Sequence, residues 1–212
     1  MDRVKDSKTR IGGVGKLFGT DGVRGLANDE VTAEMAMNLG RAMGSLRKGR
    51  IAVAIDTRIS SFMLKNAAIA GVLSTGCDVV DLGLAPTPAL QYYVKTRKEI
   101  RGGIMVTASH NPKEYNGIKF IQEDGREFTR EMDEESEKLY FSKNFVKAKW
   151  NEVGQVYKDS CYRIYLDGIK DKVDANRIAK REFKVVVDCG NGAGCVTTPQ
   201  LLKELGLSLI HI

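Results

Sequence analysis

The sequence predicts a layered α/β fold with a largely parallel sheet, followed by the start of a second α/β unit. Short β-branched runs alternate along the chain with segments whose apolar residues recur at spacings of three and four. The runs lack polar alternation, which is typical of strands covered by helices on both faces. We therefore expect a polar, flexible arm over residues 1–14, a first domain over residues 15–155 and a second domain over residues 156–212.

Local signals predict the elements of the first domain in order. Thr32 is a good N-cap for the first helix, because its hydroxyl can accept from a free backbone N–H group. Ser60 or Ser61 opens the second helix, and Pro86 precedes the third. An acidic helix is predicted over residues 130–141. The predicted strands are residues 51–55, 79–82, 103–107 and 117–121.

The second domain is represented by few elements. They are a helix over residues 162–173, a strand over residues 183–187 and a helix over residues 199–205. One strand with its helices cannot bury both faces of a sheet, so we expect this domain to be incomplete. Residues 207–212 break the strand expected there, and we expect these six residues to be foreign to a protein whose genuine sequence is interrupted near Gly206.

Composition argues against several classes of protein. Lys and Arg number 33 against 27 Asp and Glu, a net charge of +6. The basic residues do not alternate with aromatic ones, so no nucleic-acid surface is expected. The apolar stretches are strand-sized, which predicts no membrane span. The first ten residues lack the apolar core of a secretory signal, and the four cysteines form no Cys-x-x-Cys pair. We therefore expect a cytoplasmic protein.

A glycine-rich loop over residues 18–25 reads Phe-Gly-Thr-Asp-Gly-Val-Arg-Gly. Its glycines let the backbone come close to a ligand, and Thr20 and Arg24 carry donors suited to phosphate oxygens. A plain glycine turn with a surface arginine fits the same residues equally well. The loop is therefore a candidate anion site with an open structural alternative.

A second loop, residues 107–119, contains a serine just past a predicted strand, where α/β sheets place reactive groups. Around Ser109, the residues His110, Asn111 and Lys119 supply donors and a cation. Phosphoryl transfer needs such positive charge and positioned donors. The alternative is an Asn-Pro turn with a capping serine. The sequence argues against a serine hydrolase, because its two histidines are His110, adjacent to the serine, and His211 at the end of the chain, and no Gly-x-Ser-x-Gly elbow surrounds Ser109.

Two further loops are weaker candidates. Arg58 follows the strand at residues 51–55, where it fits either an anion site or a turn that caps the next helix. The glycine turn at residues 188–194 does not match Gly-x-Gly-x-x-Gly. For that turn we predict a structural strand-to-helix connection.

Three of these motifs occur together in one order: residues 18–25, residues 108–112 with 116–119, and residues 187–194. In this combination the sequence resembles the α-D-phosphohexomutase superfamily, and most closely its archaeal phosphoglucosamine mutase branch. The resemblance implies a three-layer α/β/α first domain and an incomplete second α/β domain. It extends from about residue 16 to residue 206, so the chain resembles an amino-terminal fragment of such a protein.

The resemblance also implies a reaction. Ser109 would be a phosphoserine that interconverts glucosamine 6-phosphate and glucosamine 1-phosphate through a bisphosphorylated sugar. Lys119 and Arg24 would manage protons and charge beside it. The phosphate or substrate ligands would be Thr20, His110, Asn111 and Arg58. Mg²⁺ would bind the phosphate on Ser109 together with Asp ligands that lie beyond the end of this chain. A sugar bisphosphate would act as activator.

Departures from the family pattern define the alternatives. Ala54 stands where the family usually has the glycine of Gly-x-Asp-x-Arg, and Ser61 replaces a frequent glycine, which weakens the case for Arg58. The metal loop and the third and fourth domains are missing, so this chain alone is expected to be inactive. Because the sugar-reading loop is also missing, phosphomannomutase or phosphoglucomutase activity remains an alternative. A non-catalytic domain that binds sugar phosphates is an alternative of another class.

Overall fold

The computed structural model describes residues 17–19 and 22–211, so the predicted arm lies outside the described residues. The elements of the first unit are β1 (Val23–Leu26), α1 (Ala33–Leu46), β2 (Arg50–Ile55), α2 (Ser61–Leu73), β3 (Val79–Leu84), α3 (Thr87–Thr96), β4 (Ile100–Val106), β5 (Tyr115–Gln122), α4 (Arg130–Ser142) and β6 (Val156–Lys158). Helix α5 (Tyr162–Lys170) follows them. Among the described helices, none combines the length and the apolar character that crossing a membrane requires.

The second unit is smaller. Its elements are α6 (Ala175–Ala179), β7 (Lys184–Val187), a 3₁₀ helix (Ala193–Val196), α7 (Thr198–Glu204) and β8 (Ser208–His211). Strands β7 and β8 pair in parallel. Both units are therefore of the α/β type that the sequence predicts.

The first unit is built on one six-stranded sheet with the strand order β1-β5-β4-β2-β3-β6. Strand β5 is antiparallel to both of its neighbours, β1 and β4, whereas β4, β2, β3 and β6 are parallel to one another. The carboxyl ends of β2, β3 and β4 therefore meet at one edge of the sheet, where their loops can share a site.

Helices cover both faces of this sheet. Ile51 and Val53 of β2 join a core with α1, α2 and α4, whereas Ala52 and Ala54 of the same strand join a second core with α3 and α5. Side chains alternate between the faces of a strand, so an unbroken apolar run serves both cores. The prediction of a three-layer α/β/α arrangement is confirmed.

Helices α1 and α2 lie unusually close because two glycines face the partner helix. A Cβ atom added to Gly40 would lie 2.1 Å from the Ala68 carbonyl oxygen, and one added to Gly71 would lie 2.0 Å from the Met37 carbonyl oxygen. The hydroxyl of Thr32 accepts a hydrogen bond from the Met35 amide at the start of α1, as its N-cap role predicts.

Three local expectations need correction. The glycine-rich loop is partly strand β1, because alternate residues such as Val23 are buried and the segment pairs with β5. Residues 207–212 do not break a strand, since Ser208–His211 extend the small sheet beside β7. The helix predicted over residues 162–173 ends at Lys170, and Asp174 caps a separate helix by accepting from the Arg177 amide.

Strand β6 bears on the division of the chain. Residues Val156–Lys158 lie beyond residue 155 and pair with β3 in the first sheet. Cys161, which precedes α5, and Leu166, which lies within it, are also fully buried. The boundary after residue 155 stays a prediction, and the first sheet continues past it.

Candidate functional site

A cleft of about 810 Å³ opens at the carboxyl edge of the first sheet. Loops that follow β2, β3 and β4 line it, represented by Asp56, Pro86 and Ser109. The glycine turn that follows β7, residues 190–194, also lines it. The cleft is therefore a place where reactive side chains from the first unit and a backbone turn from the second unit converge.

Ser109 lies in the serine loop, which we define as residues 107–114 between β4 and β5. The residue is exposed and has a φ of 56°, in the left-handed region that non-glycine residues rarely adopt. Its amide donates to the Thr107 hydroxyl oxygen at 2.9 Å. The loop thus presents the hydroxyl to solvent and the cleft from a constrained backbone.

The Asp56 carboxylate connects the end of β2 to the serine loop. Its two carboxylate oxygens accept hydrogen bonds from the Thr107 hydroxyl at 2.7 Å, from the Ser61 hydroxyl at 2.7 Å, and from the amide and Nε of Arg58, both at 3.0 Å. Because the Thr107 hydroxyl oxygen also accepts from the Ser109 amide, Asp56 at the end of β2 supports the serine through one intervening side chain.

Ser61 and Asn116 extend this network into the core. Both residues are fully buried. The Asn116 side-chain amide donates to the Ser61 hydroxyl at 2.9 Å and to the Ser60 hydroxyl at 2.8 Å, while its own oxygen accepts from the Gly117 amide. Ser61 is therefore a link between α2, Asp56 and β5.

Arg58 does not have the geometry expected of a phosphate ligand. Its side chain is 11% exposed and pairs with Asp56. The remaining guanidinium donors bond the carbonyl oxygens of Pro112 at 2.6 Å, Tyr115 at 3.0 Å, Ser109 at 2.9 Å and Asn111 at 2.7 Å. An arginine side chain has five N–H donors, and all five are engaged here.

Arg24 connects the glycine-rich loop, residues 18–25, with the serine loop. It lies on β1, and its Nη1 donates to the Asn111 side-chain oxygen at 3.2 Å. The pairing of β1 with β5 places it there, since Arg24 is opposite Gly117 in the register. Thr20 lies outside the described residues.

Lys119 lies on β5 and pairs with a carboxylate. Its Nζ is 2.9 Å from Glu127 Oε1, and its side chain is 11% exposed. Gly22 lies directly beside it, because a Cβ atom there would be 3.0 Å from Lys119 Cγ. The lysine therefore lies between the first candidate loop and an acidic neighbour.

The structure brings several of the predicted site residues together. Arg24 contacts Asn111, and Ser109 Oγ lies 3.5 Å from His110 Nδ1, a weak contact whose donor depends on the histidine tautomer. Arg58 contacts the backbone of Ser109 and Asn111. For Lys119 the bonding partner is Glu127.

The glycine turn after β7 lines the same cleft as Ser109, although the sequence predicts only a structural connection there. Gly190 and Asn191 both have positive φ values, of 54° and 55°. The Gly190 amide donates to the Asp188 carboxylate at 2.8 Å. Its position after a strand was the available signal, because parallel strands direct such turns toward the cleft edge.

The residues described here do not form a complete magnesium site. Among residues 17–19 and 22–211, no three His, Cys, Asp or Glu side chains are grouped so that they could hold a metal ion. A phosphate on Ser109 would supply one oxygen ligand. The Mg²⁺ implied by the resemblance thus requires carboxylates that the described residues do not group together.

The three-layer domain with an exposed serine at its carboxyl edge defines a class of protein. The family model for phosphoglucomutase/phosphomannomutase, alpha/beta/alpha domain I, matches residues 15–147, and the model for domain II matches residues 163–212. The chain belongs to the phosphoglucomutase/phosphomannomutase family.

Individual relatives agree with this assignment. A phosphoglucomutase/phosphomannomutase of Thermococcus kodakarensis is 49% identical over 205 residues, covering 94% of this chain and 45% of that protein. A probable phosphoglucosamine mutase of Thermococcus gammatolerans is 44% identical over 200 residues, covering 94% and 43%. The structure of a putative phosphomannomutase from Thermus thermophilus superposes with a TM-score of 0.81 at 29% identity, covering 92% and 45%. The chain thus spans less than half the length of these relatives.

Proposed function

We propose that this chain forms the phosphoserine-bearing part of a phosphohexomutase that interconverts glucosamine 6-phosphate and glucosamine 1-phosphate. The observation that carries the proposal is the exposed hydroxyl of Ser109, held at the cleft by a buried hydrogen-bond network. A transferred phosphoryl group needs a fixed carrier and positioned donors more than covalent activation. The geometry supports that chemistry better than a turn of purely structural role.

In the proposed reaction, the Ser109 Oγ–P bond breaks while a bond forms between phosphorus and a sugar hydroxyl oxygen, which gives the bisphosphorylated sugar. The reverse transfer returns the other phosphate to Ser109. Arg24 and Lys119 supply positive charge and handle the hydroxyl proton, and Thr20, His110 and Asn111 bind phosphate oxygens. A sugar bisphosphate first phosphorylates Ser109. Mg²⁺ neutralises phosphate charge when it is bound.

The role of Ser109 is tested in a chimera. The chain replaces the matching amino-terminal part of the T. kodakarensis relative, to which it is 49% identical. We expect the chimera to be active with Mg²⁺ and a sugar bisphosphate, and its Ser109 peptide to gain the mass of one phosphoryl group. Ser109→Ala is expected to lower turnover by about 10³-fold or more. A Ser109→Ala chimera that keeps wild-type turnover would contradict the assignment.

The sugar is tested separately, with the product of the complete reading frame that contains this chain. We expect the highest kcat/KM with glucosamine phosphates, because phosphoglucosamine mutase is one of the names carried by its relatives. A preference for mannose or glucose phosphates would favour the alternative function, which the T. kodakarensis relative's name supports. Binding of sugar phosphates without turnover would favour a non-catalytic domain.

A further inference from the structure

Arg58 forms part of the cleft wall, yet its side chain is directed to the protein backbone. We propose that Arg58, oriented by Asp56, is a positioning residue that fixes the serine loop, and that it does not bind the substrate phosphate. This inference rests on the proposed function, in which Ser109 carries the phosphoryl group. It assigns to Arg58 a role different from the one implied by the family resemblance.

The guanidinium suits this role because it is a rigid planar fork. Nη2 bonds the carbonyl oxygens of Ser109 and Asn111, and Nη1 bonds those of Pro112 and Tyr115. Three of the four carbonyls come from the middle of the serine loop, and the fourth belongs to Tyr115, the first residue of β5. One planar group can hold all four only when the loop has a single backbone conformation.

The direction of these carbonyls also sets the direction of an amide. In a trans peptide unit the C=O and N–H groups point in opposite directions. The Ser109 carbonyl points at Arg58, so the N–H group of His110 points away from the guanidinium. Holding the carbonyl side of the loop therefore leaves that backbone donor available on the other side.

The same contacts explain how Ser109 keeps a strained backbone. A φ of 56° at a non-glycine residue is strained and persists only when neighbouring groups enforce it. The Ser109 amide is bonded to Thr107, and the Ser109 carbonyl is bonded to Arg58. Asp56 bonds both of those side chains, so one carboxylate fixes the serine from two directions.

Electrostatics argues in the same direction. The Arg58–Asp56 pair is neutral, with a distance of 3.0 Å between Nε and Oδ2, and both side chains are largely buried. A paired guanidinium with no free donor contributes little attraction for a phosphate. Positive charge at the site would come instead from Arg24 and from Lys119, whose ammonium has three N–H donors and gives one of them to Glu127.

The first test measures amide hydrogen exchange in the full 212-residue chain for wild type, Arg58→Lys and Arg58→Met. Lysine keeps the charge but cannot reproduce a planar fork that holds four carbonyls. We expect both variants to raise exchange at Ser109, Asn111 and Tyr115 by about tenfold or more. Arg101→Met is the matched control, because Arg101 is a half-exposed arginine of β4 paired with Glu123, and exchange in the loop should stay as in wild type.

The second test uses the kinetics of the chimera. A positioning role predicts that Arg58→Lys lowers kcat by about tenfold or more, with little change in KM. A rise in KM at unchanged kcat would make Arg58 a substrate ligand and overturn the proposal. Unchanged loop exchange in Arg58→Lys would overturn it as well, and this variant decides if Arg58→Met does not fold. Turnover that survives Ser109→Ala would instead refute the proposed function, while the exchange result still reports on the loop.

Discussion

Asp133 lies close enough to Glu127 and Glu137 to be affected by the negative charge of both carboxylates. Glu127 pairs with Lys119, and Glu137 accepts hydrogen bonds from the amides of Leu17 and Phe18. Burial, with repulsion from Glu137 and Glu127, raises the pKa of Asp133 to about 6. Asp133 therefore holds its proton more readily than an aspartate in water does.

The raised pKa of Asp133 gives a prediction about stability. Its ordinary pKa is 3.8, so the folded chain binds this proton more tightly than the unfolded chain. The resulting stabilisation is fully present below the ordinary pKa of 3.8 and is lost as pH rises through about 6. After discounting for solvent screening, we expect Asp133→Asn to raise the unfolding free energy by about 1 kcal/mol near neutral pH, and by progressively less toward pH 4.

Urea unfolding at about pH 4 and about pH 7.5 checks this expectation. Glu135→Gln is the control, because Glu135 is exposed on the same helix and should change stability by less than about 0.5 kcal/mol at either pH. An equal gain for Asp133→Asn at both pH values would show that titration of this carboxyl is not the cause.

The pair of helices on one face of the sheet depends on the absence of side chains at Gly40 and Gly71. Alanine usually stabilises a helix relative to glycine by about 1 kcal/mol. At Gly71 a new Cβ atom would collide with the Met37 carbonyl oxygen in α1. We expect Gly71→Ala to destabilise the protein by about 2 kcal/mol, measured by thermal or urea unfolding.

The control for this prediction is an exposed position of the same helix. Asn66→Ala adds helix propensity without meeting α1, so its effect should be neutral or slightly stabilising. If Gly71→Ala is as stable as Asn66→Ala, the helices can separate at little cost and the close approach is not required.

Local signals predict most of the helices and strands, because an N-cap such as Thr32 or a β-branched run depends only on neighbours in the sequence. They could not predict β1, since its strand identity comes from pairing with β5, far away in the chain. The same reason limits the site. Ser109 and its neighbours are visible in one loop, but the use of Arg58 depends on carbonyl oxygens more than fifty positions away. The convergence of residues 190–194 on the cleft is equally non-local.

At the scale of the whole molecule, α5 joins the two units. Gly168 lies against the Tyr92 ring of α3, where an added Cβ atom would be 2.3 Å away. On the other side, Glu204 of α7 pairs with Arg163 at 2.8 Å and with Lys170 at 2.6 Å. The contact with the first unit is apolar and buried, whereas the ion pairs to α7 are partly exposed and contribute modestly.

This asymmetry predicts where a protease cuts first. In the second unit Phe183, Val186 and Ile210 are more than half exposed, so little apolar burial stabilises it. We expect limited trypsin digestion to cut within residues 172–184 and to leave a product that retains the first unit, as mass spectrometry would show.

The exposed lysines of residues 143–149 provide an internal comparison. That segment is bonded to the first unit, since the Ala148 amide donates to the Ser74 carbonyl and the Val146 amide to the Ser45 hydroxyl. It should therefore be cut more slowly. Equal cutting rates in the two segments would mean that the second unit is as well ordered as the first.

The position of β1 at the edge of the sheet has a consequence for the order of assembly during folding. The hairpin β4–β5 closes a short loop and can form early. Strand β1 reaches β5 only after a long stretch of chain has been closed, and among the described strands it pairs with β5 alone, over four residues. Arg24 arrives with that strand. We therefore expect Arg24 to reach Asn111 in a late step of folding, after the β4–β5 hairpin has formed.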